Sequence, residues 1–194
     1  MLDLQRLDQI KGWFAAEEAT LLYQTARSAL VTSVSHPAIV EIGSYCGRST
    51  YVLGTAVKDF CPKATVYAID PHEGMIDPNE KGEFESTFPT FSANMQDVGL
   101  TDYIEPIVRR SYQVPWNRPI RLLFIDGFHY YENVSRDFYH FADHVDVDGY
   151  FVFHDYHPAN ECPGVIKFVD ELIESRKYRR TNRAASLIVL QRNT

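Results

Sequence analysis

Three side chains of this sequence have the types and spacing for joint chemistry: Asp126, His129 and Asp155. Asp126 ends the apolar run Ile120-Arg121-Leu122-Leu123-Phe124-Ile125, and Asp155 follows Gly149-Tyr150-Phe151-Val152-Phe153-His154. Each carboxylate therefore ends a segment that reads as a buried strand. Two carboxylates on adjacent strand ends repel unless something positive lies between them. A divalent cation such as Mg²⁺ meets that need, since it prefers hard oxygen ligands. It also lowers the pKa of a bound hydroxyl and orients it. His129 lies three residues past Asp126, and an imidazole near neutrality can take a proton from an alcohol or phenol. It can equally fill a coordination position. Plainer readings stand beside these: Asp126 as a turn residue before Gly127, Asp155 as a cap, and His154 and His157 as packing or hydrogen-bonding residues.

The second constellation is the stretch 39–51, Ile-Val-Glu-Ile-Gly-Ser-Tyr-Cys-Gly-Arg-Ser-Thr-Tyr. An apolar run leads into Gly43, Ser44 and Gly47, and a helical pattern follows. Such a loop lets backbone N–H groups and a helix N-terminus approach a ligand closely. Tyr45 and Arg48 stand where a dinucleotide fingerprint needs its later glycines, and no Gly-Lys-Ser/Thr follows, so neither a pyrophosphate cradle nor a P-loop fits. Asp70 ends the next strand pattern, 27 residues after Gly43, a spacing that suits one βαβ crossover. A carboxylate there can accept from two ribose hydroxyls at once.

These groups must be held by elements, and the periodicities supply them. Leu4, Leu7, Ile10, Trp13 and Phe14 recur at helix-like spacing, and a helix over 17–30 follows. Strands are predicted at 38–43, 65–69, 104–108, 120–125 and 149–153, with helices at 48–60, 84–98, 131–144 and 165–176. Residues 71–85 read as a long acidic loop. The segments 178–181 and 187–191 form an antiparallel hairpin, because no crossover separates them. The chain has 194 residues, 45% hydrophobic, which suits a single α/β domain. Its net charge of -7 disfavours a nucleic-acid partner. No apolar run is long enough to span a membrane, and the N-terminus does not read as a signal peptide. Cys46, Cys61 and Cys162 show no metal spacing and read as reduced cytoplasmic thiols.

Glu41-Ile42-Gly43-Ser44-Tyr45-Cys46-Gly47-Arg48-Ser49-Thr50 resembles motif I of class I S-adenosylmethionine-dependent methyltransferases, in the branch with macrolide-sugar and catechol-type O-methyltransferases. Ile125-Asp126-Gly127-Phe128-His129-Tyr130-Tyr131, Asp137 and the strand 149–155 resemble further elements of that branch, so the likeness covers most of the chain. Asp148 departs from the pattern, standing where a first glycine often lies. The resemblance implies a three-layer Rossmann-like open sheet, mostly parallel, with an antiparallel C-terminal strand. It implies S-adenosylmethionine as cofactor, held by Glu41, Gly43, Ser44, Gly47, Asp70, Ser111 and Asp126. It places a metal, Mg²⁺ or a similar ion, on Asp126 and Asp155, although Tyr156 stands where catechol-type enzymes carry a further oxygen ligand. Asp126 and His129 would be the catalytic pair.

The expected function is O-methylation of a hydroxylated small molecule. Residues 1–33 are expected to form a helical cap, with Trp13 and Phe14 as a lid. A homodimer is the candidate assembly. Two alternatives stand beside this: a nucleotide-cofactor (NAD-type) oxidoreductase on a similar sheet, and a non-catalytic S-adenosylmethionine-binding module.

Overall fold

A computed structural model describes residues 1–31, 34–74, 85–160 and 162–193. Seven strands, β1 (Ala38–Ile42), β2 (Thr65–Ile69), β3 (Ile104–Ile107), β4 (Ile120–Ile125), β5 (Val145–Phe153), β6 (Tyr178–Ala184) and β7 (Leu187–Arg192), form one sheet. Their order is β3-β2-β1-β4-β5-β7-β6. The first five run parallel to one another, and β7 runs antiparallel between β5 and β6. Parallel pairing needs crossovers, and α3 (Arg48–Phe60), α4 (Phe88–Asp97) and α5 (Tyr131–Phe141) supply them.

The central strands read as nearly unbroken apolar runs because both faces are covered. Ile39, Leu122, Phe124 and Val152 face a core shared with α2 (Ala16–Leu30), α3 and α4. The alternate residues Val40, Leu123, Ile125 and Phe153 face the core under α5 and α6 (Pro163–Glu174). Alternation with period two sends successive side chains to opposite layers, so each position must be apolar.

Several boundaries differ from the sequence expectation. β5 starts at Val145 because buried Arg121 draws Asp146 and Asp148 beside it, with Asp148 oxygens at 2.5 and 3.1 Å. That pairing accounts for Asp148 where a glycine was expected. The hairpin strands are longer than predicted. Residues 75–84, which hold most of the predicted acidic loop, lie outside the described residues.

The N-terminal segment opens with a short helix, α1 (Leu4–Leu7), and packs on the sheet. Leu7, Ile10, Phe14 and Leu22 are buried in the same core as the sheet. Phe14, predicted as part of a lid, packs edge-on against Phe124 at 6.0 Å between centroids. Trp13 alone has the exposure of a lid, 64%, with its ring 5.6 Å from that of Tyr45. Arg48 fixes this segment by donating to the carbonyls of Ile10 and Phe14, both at 2.9 Å, and to Asp8 at 2.8 Å.

Candidate active site

The backbone register builds the site. Ile42 pairs with Ile69 and Ile125, and Ile125 pairs with Phe153, so these four form one row across the sheet. The next residue on each strand is therefore Gly43, Asp70, Asp126 and His154. The ladder continues through them: Gly43 N donates to Ile69 O (2.9 Å), Asp126 N to Ile42 O (2.8 Å) and His154 N to Ile125 O (3.1 Å). Between β1 and β4 the chain order reverses direction, which opens a crevice at the C-terminal strand ends. A cavity of about 1150 Å³ lies there.

At the β1–β2 end, main-chain geometry dominates. Gly43 has φ +90°, and a Cβ on it would overlap the Asp126 carbonyl oxygen. Its smallness is thus required by the approach of the two loops, where the sequence reading had placed the cofactor against it. Asp70 accepts from Tyr45 N at 2.8 Å and from His72 N at 2.6 Å, which ties the β1 loop to the β2 end. Ser44 lines the cavity, and its buried hydroxyl oxygen has no hydrogen-bond partner among the described residues. An orphaned hydroxyl in a cavity wall is unusual in a folded chain and fits a site that takes a polar ligand. Ser111 also lines the cavity and donates from its hydroxyl to Asp137, a buried α5 carboxyl.

At the β4–β5 end, side-chain charge dominates. His154 is buried, and its Nδ1 sits 3.1 Å from both Asp126 Oδ1 and Asp155 Oδ2. Its Nε2 faces Glu18 at 3.3 Å and Ser186 Oγ at 3.2 Å. With carboxylates at both nitrogens the ring is an imidazolium. Burial works against that charge, but Asp126, Asp155 and Glu18 lift the pKa far above the usual histidine range. Asp155 has φ +60° and also meets His129 Nε2 at 2.9 Å. Burial alone would raise its carboxyl, but hydrogen bonds from His129 and His154 hold it well below the ordinary range. The Asp155 contact in turn raises the His129 pKa above its usual value. Burial raises Asp126, with His154 opposing.

Glu18 anchors this chain from below. Its Oε1 accepts from Ser186 N (3.0 Å) and Ser186 Oγ (2.5 Å), and its Oε2 accepts from Ala15 N (2.8 Å) at the start of α2. A continuous path, Glu18–His154–Asp155–His129, thus runs from the N-terminal helix to the cavity.

Gly43, Ser44, Asp70, Ser111, Asp126, His129 and Asp155 all line the cavity, as the sequence predicted. Glu41 and Gly47 are not among the lining residues. Glu41 is fully buried and accepts from Ser49 Oγ (2.6 Å) and Thr50 Oγ1 (2.5 Å), so it pins β1 to α3. Burial raises its carboxyl to about 8. Gly47 has φ +92° at the N-terminus of α3, a backbone conformation that favours glycine. His154, Glu18 and Ser186 were missed as site residues. Only the adjacency of His154 to Asp155 hinted at the first; nothing near Glu18 or Ser186 in sequence marks them.

The Mg²⁺ expectation meets a different donor set. The ligand atoms of Asp126, His154 and Asp155 lie within 4.8 Å of one another, but the imidazolium of His154 already supplies the positive charge between the carboxylates. Two carboxylates with one imidazole do not match the oxygen-rich shell Mg²⁺ demands.

Residues 40–156 match the model of a methyltransferase domain family. A relative from Acanthamoeba polyphaga mimivirus, the uncharacterized protein R132, is 33% identical over 144 residues. That alignment covers 72% of this chain and 62% of the relative, so the chain spans under two thirds of its length. Among solved structures, the O-methyltransferase NovP superposes with a TM-score of 0.75 at 17% identity, covering 92% of this chain and 80% of NovP. The S-adenosylhomocysteine-bound methyltransferase PaMTH1 of Podospora anserina gives 0.69 at 13% identity, covering 100% and 89%. The strand order, the reversed last strand and the family match agree: the chain belongs to the methyltransferase domain family and has the class I methyltransferase fold.

Proposed function

We propose that this chain is an S-adenosylmethionine-dependent O-methyltransferase that acts on a hydroxyl of a small molecule. The observation that carries the reading is one cavity with two chemically distinct ends. At about 1150 Å³ it exceeds the roughly 300–1,000 Å³ of a usual ligand site, which suits a cofactor and an acceptor side by side. S-adenosylmethionine supplies, when bound, a methyl group already activated on a sulfonium.

The chain's own groups then divide the work. Asp70 has lone pairs beyond its two backbone contacts and holds the ribose hydroxyls. The Ser44 hydroxyl and the loop after Gly43 hold the cofactor's amino-acid end, and Ser111 with Asp137 flanks its adenine. Asp155 keeps a hydrogen on Nε2 of His129, which leaves Nδ1 as the basic nitrogen for the acceptor proton. Asp126 orients the acceptor, and Trp13 covers the mouth. Alignment of acceptor and methyl supplies much of the rate. The net charge of -7 favours a small acceptor over a nucleic acid. Because His154 satisfies the carboxylate pair, transfer proceeds without Mg²⁺.

The test is turnover on a panel of phenols, sugars and nucleotide sugars, with S-adenosylhomocysteine release followed by mass spectrometry, with and without EDTA. Methylated product in equal amount, undiminished by EDTA, is the expected result. Cofactor binding without product from any acceptor class would support the non-catalytic module instead, and loss of activity in EDTA would restore a metal to Asp126 and Asp155.

A further inference from the structure

One side chain in the cavity wall, Cys162, has no role in this mechanism. Cys162 is buried and lines the cavity beside His129 and Asp155. One ligand atom from each of the three lies within 4.8 Å of the others. A tetrahedral Zn²⁺ with bonds of roughly 2.0–2.3 Å holds its donors about 3.3–3.8 Å apart, so small side-chain movements bring this set into range. The donors also belong together mechanically. Gly164 packs so tightly on the 129–131 loop that a Cβ there would overlap His129 O and Tyr131 N. The segment that carries Cys162 is thereby fixed against the loop that carries His129.

We infer that Cys162, His129 and Asp155 form a binding site for a thiophilic divalent cation of the Zn²⁺ class, open toward the cavity at its fourth position. Sulfur, imidazole and one carboxylate select a borderline-soft ion and reject Mg²⁺. Three protein donors and one open position are a coordination pattern zinc adopts readily. On binding, the Cys162 thiol loses its proton to solvent and the thiolate takes the metal. The ion takes one His129 nitrogen, and a neutral imidazole so engaged carries its hydrogen on the other. No basic nitrogen remains, so occupancy inhibits methyl transfer. This last step rests on the function proposed above; the binding step does not.

The experiment uses Co²⁺ as a spectroscopic probe on protein freed of metal by chelation, with Zn²⁺ as competitor. The expected result is a thiolate-to-cobalt charge-transfer band that saturates at one equivalent and is displaced by Zn²⁺. Cys162→Ser should lose the band and weaken binding more than about 100-fold, beyond the ~10–100-fold typical of an outer-shell partner. Cys61→Ser, a partly exposed thiol elsewhere, should keep it. Circular dichroism of each variant reports that it is folded, and Asp155→Asn gives a second disruption that leaves the thiol in place. No thiolate band in the wild type, or a band that survives Cys162→Ser, overturns the site. In the transfer assay one equivalent of Zn²⁺ should suppress the wild type and spare Cys162→Ser, each relative to its own metal-free rate. A band with undiminished transfer would leave the site standing and overturn the assignment of His129 as base.

Discussion

The two ends of the cavity are built from different materials. At the β1–β2 end the decisive contacts are main-chain: Tyr45 N and His72 N on Asp70, and the Gly43 turn against the Asp126 carbonyl. At the β4–β5 end they are side-chain ions, with His154 among Glu18, Asp126 and Asp155. A backbone-built end tolerates little change of shape and leaves Ser44 Oγ without a partner among the described residues. A charge-built end tolerates shape change but not loss of charge, because each ion is held by the next. The difference matches the tasks proposed for them: holding a cofactor of fixed shape, and moving one proton.

Shape should fail first at the backbone-built end. Gly43→Ala forces a side chain into φ +90° and into the Asp126 backbone. Strain and overpacking of about 1–3 kcal/mol each give an expected loss of about 2–6 kcal/mol in urea unfolding. A wild-type midpoint in that variant would break the comparison. At the charge-built end His129 is the outermost, half-exposed member of the ionic path, so His129→Ala should cost far less stability than a change at buried His154 and cut turnover about 10²–10⁴-fold, the usual share of a general base. Unchanged turnover would move the proton transfer elsewhere.

Acid titration sharpens the same contrast. Burial opposes ionisation of Glu18, but hydrogen bonds from His154 and Ser186 outweigh it and pull its carboxyl from 4.5 down to about 2. Its folded pKa is therefore depressed, so its contribution is full above 4.5 and is lost as pH falls toward 2. At about 1.4 kcal/mol per pH unit the loss amounts to roughly 3 kcal/mol. Glu18→Gln should flatten the stability curve over that window, measured by thermal unfolding at several pH values. The smallest effect belongs to Trp13, which is 64% exposed. Trp13→Ala should change stability by less than about 0.5 kcal/mol and act on acceptor KM. A larger loss of stability would place Trp13 in the core with Phe14.

The same contrast explains what the sequence disclosed. Gly43 and Asp70 were legible because a turn glycine and a strand-end acid sit at fixed spacing along one βαβ unit, and the register then carried Asp126 into the same row. Continuous apolar strands announced a doubly covered sheet. The ionic end was only half legible. Asp126, His129 and Asp155 follow strands, but the group that neutralises them, His154, draws on Glu18 from 136 positions away, and Glu18 reaches Ser186 across 168. Such contacts leave no local pattern. The partners of Glu41, the hydroxyls of Ser49 and Thr50 on α3, could not be read from its place in an apolar strand. The depth of the N-terminal segment was not legible, because an amphipathic N-terminal helix looks the same over a core layer and over a lid.

The most direct test of this division is calorimetric titration of S-adenosylmethionine into three proteins: wild type, Asp70→Ala and His129→Ala. The account predicts one cofactor per chain in the wild type. It predicts affinity reduced at least about tenfold in Asp70→Ala, the value of one charged hydrogen bond, and unchanged affinity in His129→Ala. A wild type that takes up no cofactor, or an Asp70→Ala variant that binds as tightly as the wild type, would contradict it.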